Sequence, residues 1–437
     1  MRTLSTSKIY KLSAIISYII GYIYLKYVMW TSVFGSYHQK AWMLVFPILF
    51  IAWTEGFAYL LGNTYQKLKE QGKTIVEPII LIICILLQSV SISVWGLHND
   101  WELYQVAIWH FTIIYYVISR MGILAAGRSG IFFLIDSLSG VVVVPIANIL
   151  LRAQKLFDRE DKAPKPERTQ KKIGKNDIGI IITSVVVALF VCGFAISQLV
   201  SVSQTFAEIG DGFCEAMYRL FSLVSFEYFI ENFLVFFIFS IPVGCWLFAL
   251  VAGSMQKERP LSSDKELENA TREYHSLPSY SAYIIIGSVC VLYGIFFISA
   301  FIDLLNGNIA TTAHEASEYA VGSFWQLIKV VVLNLVIMFA SCFFSKKALW
   351  VEKSTRILAT VLFVFAIAFA VFAALNLAVY IGGYGFTPRR ILSSWVVVNI
   401  ITWCVLILIR LYKKISAAQI GILFAAVSFS VVVCGCF

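Results

Sequence analysis

The chain has 437 residues, of which 59% are hydrophobic and 14% charged, with a formal net charge of +9. A soluble domain is roughly 45–50% apolar and about 25% charged, so this composition excludes a water-soluble globular fold along most of the chain. The basic excess is no nucleic-acid footprint, because most of it sits in short turns beside apolar runs and no groove-reading module is present.

An apolar run of about 20 residues is long enough to cross the hydrocarbon core as a helix. A barrel would need ten-residue segments of strict alternation, and these runs are longer and apolar on all sides. They predict an all-α fold, a polytopic transmembrane helical bundle of about eleven spans. In chain order these are 9–30, 41–62, 75–96, 104–126, 178–200, 230–253, 281–303, 323–345, 357–381, 391–410 and 416–437. The first follows Arg2 and Lys8 and no small-residue cleavage site closes it, so it reads as a retained span and not as a signal peptide. A further stretch, 129–151, is interrupted by Asp136, Ser137, Ser139 and Gly140 and broken by Pro145, with Arg128 and Arg152 at its ends. Basic residues at both ends fit an interfacial or re-entrant segment better than a single crossing.

The charges predict three parts. Residues 1–154 form a four-span N-terminal part with the interfacial segment. Residues 155–177 form a charged linker with two prolines and little to bury. Residues 178–437 form a seven-span C-terminal part. The lysines and arginines of the N-terminus, of 63–74, 155–177, 254–279, 346–356 and 410–414 fall on one side. The intervening turns carry Asp100, Glu102, Glu208, Asp211, Glu215, Glu227, Glu315 and Glu318. The positive-inside rule then places the N-terminus in and the C-terminus out. Cys84, Cys192, Cys245, Cys290, Cys342 and Cys404 lie in apolar runs, and the Cys434-Gly435-Cys436 pair lacks metal or redox spacing. They read as buried free thiols.

Two stretches of the C-terminal part carry a resemblance. One is Ala316-Ser317-Glu318-Tyr319-Ala320 leading into Gly322-Ser323-Phe324-Trp325-Gln326-Leu327. The other is Tyr380-Ile381-Gly382-Gly383-Tyr384-Gly385-Phe386-Thr387-Pro388-Arg389-Arg390. Together they resemble the bacterial polytopic membrane families of unknown function DUF4153 and DUF4173, which show a similar Glu-Tyr-Ala run and a later Tyr-Gly-(Leu/Phe)-Thr-x-x-Arg turn. Val321 departs from the Arg or Lys that the family often has there. The resemblance implies a polytopic membrane fold and no chemistry. It also implies the cytoplasmic membrane of a bacterial cell.

Ionisable groups within spans are costly and are functional candidates by default. Glu55, His110, Arg120, Asp303 and Lys329 qualify. Arg120, near a span end, is expected to reach out to the interface. Asn334 and Asn376 are expected to make helix-to-helix hydrogen bonds. A ligand-binding cluster is expected at the outer face: Asp303, Glu315, Glu318, Tyr319, Lys329, Tyr380, Tyr384, Arg389 and Arg390. The two arginines break the charge rule. They could pair with the carboxylates or bind an anion, while the Gly382–Gly385 run also reads as a tight, rigid turn. His314 and Glu318 have metal-ligand spacing, but two ligands make no site, so neither metal nor cofactor is expected. No nucleophile elbow, phosphate-cradling loop or His-Glu-x-x-His motif is present. The sequence therefore reads as a non-enzymatic transport-like or accessory/sensory membrane component. A membrane enzyme acting on a lipid-linked substrate at the outer interface, and a structural partner of a membrane complex, are the alternatives. Expected partners are membrane lipids and another membrane protein, and not nucleic acid.

Overall fold

The computed structural model describes residues 5–33, 40–97, 102–157, 233–256, 279–305, 313–345 and 349–435; side chains of 31, 32, 279, 280, 282, 300, 301, 303–305 and 313–323 are excluded. The expected span 178–200 and the linker 155–177 beyond Phe157 lie outside these residues. The helices are α1 (Thr6–Ile23, continuing as a π-helical stretch Tyr24–Val33), α2 (Trp42–Leu60), α3 (Tyr65–Glu70), α4 (Val76–Trp95) and α5 (Glu102–Met121). Then come α6 (Phe133–Leu138), a π turn (Ser139–Val143), α7 (Val144–Ala147), α8 (Leu151–Phe157) and α9 (Val235–Gln256). The last five are α10 (Ser279–Leu305), α11 (Ala313–Phe344), α12 (Lys353–Tyr384), α13 (Pro388–Tyr412) and α14 (Ala417–Gly435). No β-strand forms among them.

Among the described residues, eight helices are long and apolar enough to cross a membrane: α1, α2, α4, α9, the 324–344 part of α11, α12, α13 and α14. This is the all-α multi-pass bundle expected, and eight of the eleven expected spans coincide with these helices. Stretch 129–151 is not one continuous helix. It holds a helical run over 133–147 that passes through Pro145 and meets α8 (Leu151–Phe157) at a bend of 42°; in the turn between them Asn148 Nδ2 donates back to the Val144 carbonyl at 2.9 Å.

Contacts divide the chain into two units. The first comprises Met1–Leu68, Ile92–Gly96 and Ser137–Glu258. Here α1 packs on α9 and α2, with α7 and α8 against α9. Small residues allow it: a Cβ on Gly21 would stand 2.9 Å from the Gly244 nitrogen, and one on Gly244 would stand 3.2 Å from the Ser17 carbonyl. Such close approach is how helices gain packing where lipid is as apolar as the side chains. Polar groups lock the crossing. Tyr18 donates to the Phe237 carbonyl at 2.8 Å, Trp53 to Ser13 at 2.8 Å and Arg152 to the Ala14 carbonyl at 3.0 Å.

The second unit comprises Lys69–Ser91, Leu97–Asp136 and Arg259–Phe437. Its core lies where α10, α11 and α13 surround α12. The core face of α12 is lined by Ala359, Ala366, Ala370 and Ala373, all fully buried, with Phe363 and Phe369 between them. Tyr293 on α10 donates to Asn334 on α11 at 2.7 Å, the interhelical role expected of that asparagine. On the other flank α4 lies between α5 and α14. Trp109 donates to Ser89 at 2.8 Å, Gln88 to Ser430 at 3.0 Å and Ser91 to the Val433 carbonyl at 2.8 Å. Cys84, Cys245, Cys290, Cys342, Cys404 and Cys434 are free thiols.

Candidate functional site

The cluster expected at the outer face divides by element. Asp303 falls in the last turn of α10, and Glu315, Glu318 and Tyr319 fall in the first turns of α11. Their side chains lie outside the described residues, as does that of His314. Lys329 follows on α11 and points off the bundle. At the α12–α13 turn, Gly385 has φ of 74°, a conformation that suits glycine. Pro388 then opens α13 in the first-turn position its fixed φ favours. Arg390 folds back over this turn. Its guanidinium donates to the Tyr384 carbonyl at 2.7 Å and to the Gly385 carbonyl, and lies 4.3 Å from the Tyr380 ring centroid. The two tyrosine rings are 5.2 Å apart. Arg390 thus satisfies carbonyls that a helix end leaves open. Arg389 stands at the second position of α13, and its own carbonyl accepts from Ser393.

A second set gathers at the opposite end of this unit, where α4 and α14 begin and α5 and α13 end. The 32 residues of α12 separate the two ends by roughly 48 Å at 1.5 Å per residue. The centre of this set is Glu77, fully buried in the first turn of α4. The N-terminal partial charge of a helix favours a carboxylate there. Oε1 accepts the Ser129 backbone N–H at 2.9 Å and Gln419 Nε2 at 2.7 Å, and Oε2 accepts the Ser129 hydroxyl at 2.8 Å. Ser129 Oγ is also 2.9 Å from the Tyr115 hydroxyl. The result is a chain Tyr115–Ser129–Glu77–Gln419 that joins α5, the following loop, α4 and α14. No ion pair to Glu77 occurs among the described residues.

The loop that supplies Ser129 is pinned on both sides. The Lys73 ammonium donates to the Gly122 carbonyl at 2.6 Å, the Thr74 N–H to the Gly127 carbonyl at 3.1 Å, and the Ala125 N–H to Asp136 at 3.0 Å. Gly122 and Gly127 have φ of 70°, and Ala126, though not glycine, has φ of 55°. A non-glycine residue held in that region stores strain and persists only where its surroundings over-determine it.

Beside this network lies a cavity of about 520 Å³, within the range of about 300–1,000 Å³ typical of small-molecule sites. Its walls are apolar: Phe132, Phe133, Leu335, Met338, Leu406 and Ile407. Arg128, Arg410, Ser416 and the Trp350 and Trp403 rings supply the polar part. Ile131 and Phe339 line it and are also exposed on the bundle surface, so the cavity reaches the lipid-facing side there. Ser129 and Gln419 line the cavity as well as holding Glu77. Anything that enters therefore meets the donors of the buried carboxylate.

Sequence reasoning missed Glu77 and Gln419. Glu77 sits beside Pro78 at a span edge, which reads as a loop-end acid, and the glutamine is neutral. The signal available was an acid inside the first turn of a long apolar run. Arg120, expected to reach the interface, is instead 1% exposed; it lies on the inward face of α5 together with Tyr116 and Val117. Glu55 accepts the Tyr65 hydroxyl at 2.7 Å, and His110 turns back to the Val106 carbonyl.

The cavity and all of the network except Lys73, Thr74 and Glu77 fall within residues 82–435. Over those residues the chain matches the family model described as Domain of unknown function (DUF4153). No curated protein and no solved structure was found to match the chain.

Proposed function

The chain belongs to the DUF4153 family, whose description assigns no activity, and on the geometry we propose that it is a non-enzymatic, transport-like or accessory/sensory protein of the bacterial cytoplasmic membrane. Its cavity holds an amphiphile, and the Glu77 network responds to occupancy. One observation carries this reading: Ser129 and Gln419 both line the cavity and bond the fully buried carboxylate of Glu77. A carboxylate kept inside a membrane protein on neutral donors alone is costly to retain for structure only. A ligand that draws either donor away changes the hydrogen bonding of that charge, which is the elementary step of a ligand-coupled switch.

The test uses the protein in lipid nanodiscs containing a diazirine-bearing phospholipid. Photocrosslinks mapped by mass spectrometry are expected to concentrate on 335–342 and 403–422. They should fall when Cys342→Trp fills the cavity, and their yield should change in Glu77→Gln. Crosslinks spread evenly over all lipid-facing helices, unaffected by Cys342→Trp, would overturn the reading.

A further inference from the structure

The cavity is electrically one-sided. Its lining contains two arginines, Arg128 and Arg410, and no carboxylate. The Arg410 guanidinium lies 4.6 Å from the Trp350 ring centroid, which fixes its direction, and no described carboxylate pairs with it. Arg128 Nη1 donates to Ser416, also in the lining, at 3.3 Å. Close by at the same end, Arg356 stands over the Tyr412 ring at 5.3 Å with its Nε buried and unpartnered. Lys413 and Lys414 follow in the next turn. A positive, hydrogen-bonding end is thus joined to an apolar trough that opens past Ile131 and Phe339. That polarity matches an anionic head on a hydrocarbon tail and disfavours a free small anion, for which the apolar walls offer nothing.

Resting on the reading of the cavity as an amphiphile site, we propose that its occupant is an anionic phospholipid. The headgroup phosphate sits between Arg128, Arg410 and Ser416, and an acyl chain lies along Leu335, Met338 and Phe339. Guanidinium suits phosphate because its planar donors engage two oxygens at once. Basic pockets between spans at a cytoplasmic face are a known solution for such headgroups, and the loop charges place this end there.

The experiment is native mass spectrometry of the intact protein released from micelles with equal phosphatidylglycerol and phosphatidylcholine. Wild type is expected to retain phosphatidylglycerol preferentially. Arg410→Gln should reduce that preference about five- to ten-fold. Ser416→Asp, which neutralises Arg128 without removing it, should do the same. Each variant is checked for its monomer peak by size exclusion, and if one does not fold the other decides. Equal retention of both lipids in wild type, abolished by Cys342→Trp, overturns the headgroup proposal and leaves the cavity reading standing. Retention of neither lipid overturns both. Displacement of phosphatidylglycerol by inorganic phosphate at low millimolar concentration shows a phosphate site without lipid recognition, and also overturns the proposal.

Discussion

Replacing Glu77 by alanine removes the acceptor of three donors at once: the Ser129 N–H, the Ser129 hydroxyl and the Gln419 amide. A buried donor left unsatisfied costs about 1–3 kcal/mol, so the gross effect is roughly 3–9 kcal/mol. The alanine variant no longer has to desolvate a carboxylate, which offsets several kcal/mol, and Tyr115 is free to accept the Ser129 hydroxyl. With the hydroxyl re-partnered, two donors stay unsatisfied at roughly 2–6 kcal/mol before that offset, and the expected net loss is about 2–3 kcal/mol. If these were ordinary interhelical bonds at ~0.6 kcal/mol each, the loss would stay under about 2 kcal/mol. Glutamine separates shape from charge. Its carbonyl oxygen can take both the Ser129 N–H and Gln419, and its amide can donate to Ser129 Oγ, whose own proton then turns to Tyr115. Glu77→Gln should cost less than about 1 kcal/mol. Both values come from unfolding by SDS titration in mixed lipid–detergent micelles. An alanine variant within 2 kcal/mol of wild type, or a glutamine variant as unstable as alanine, would refute this account of the network.

Gly21→Leu should drive α1 and α9 apart, because even a Cβ there stands 2.9 Å from the Gly244 backbone; a loss of about 1–3 kcal/mol is expected, read by the same titration. Gly122→Ala places a Cβ at φ of 70° and should cost about 1–2 kcal/mol, with a larger effect on lipid crosslinking at 403–422 than on global unfolding. For topology, single cysteines at Phe386 and Lys414 in a cysteine-free background should respond oppositely to an impermeant maleimide added to intact cells. Position 386 should label and position 414 should not, and the reverse pattern would invert the orientation.

The helices are legible in the sequence because run length alone marks them. The segment Val76–Trp95 is marked as a span by its twenty-residue length and by the apolar run Ile79–Leu87 within it. The break at 148–150 is not legible, since Asp136 and Pro145, the residues that mark an interruption in the sequence, both lie inside the helical run that precedes it. The polar network is not, because its partners are far apart in the chain and each looks ordinary alone. Glu77 resembles a loop acid, Ser129 a loop serine and Gln419 a first-turn glutamine; only packing makes them one site. Arg390 shows the converse. Its rarity on an acidic face draws attention, yet the structure turns it onto the carbonyls of Tyr384 and Gly385 and the ring of Tyr380. A broken charge rule says that a cation is held and leaves open what holds it.

The bonds between α4 and α14 also set an order of events during synthesis. Glu77 meets Gln419, Gln88 meets Ser430 and Ser91 meets Val433, each pair separated by 342 residues. At roughly 5–20 residues per second, α4 leaves the ribosome about 20–70 s before its neighbour exists. For that interval Glu77, Gln88 and Ser91 must stay in the membrane satisfied elsewhere, by water at the interface or by a temporary helix neighbour. The arrival of α14 displaces that stand-in and closes the unit. Removal of α14 would leave Glu77, Gln88 and Ser91 of α4 without these three contacts.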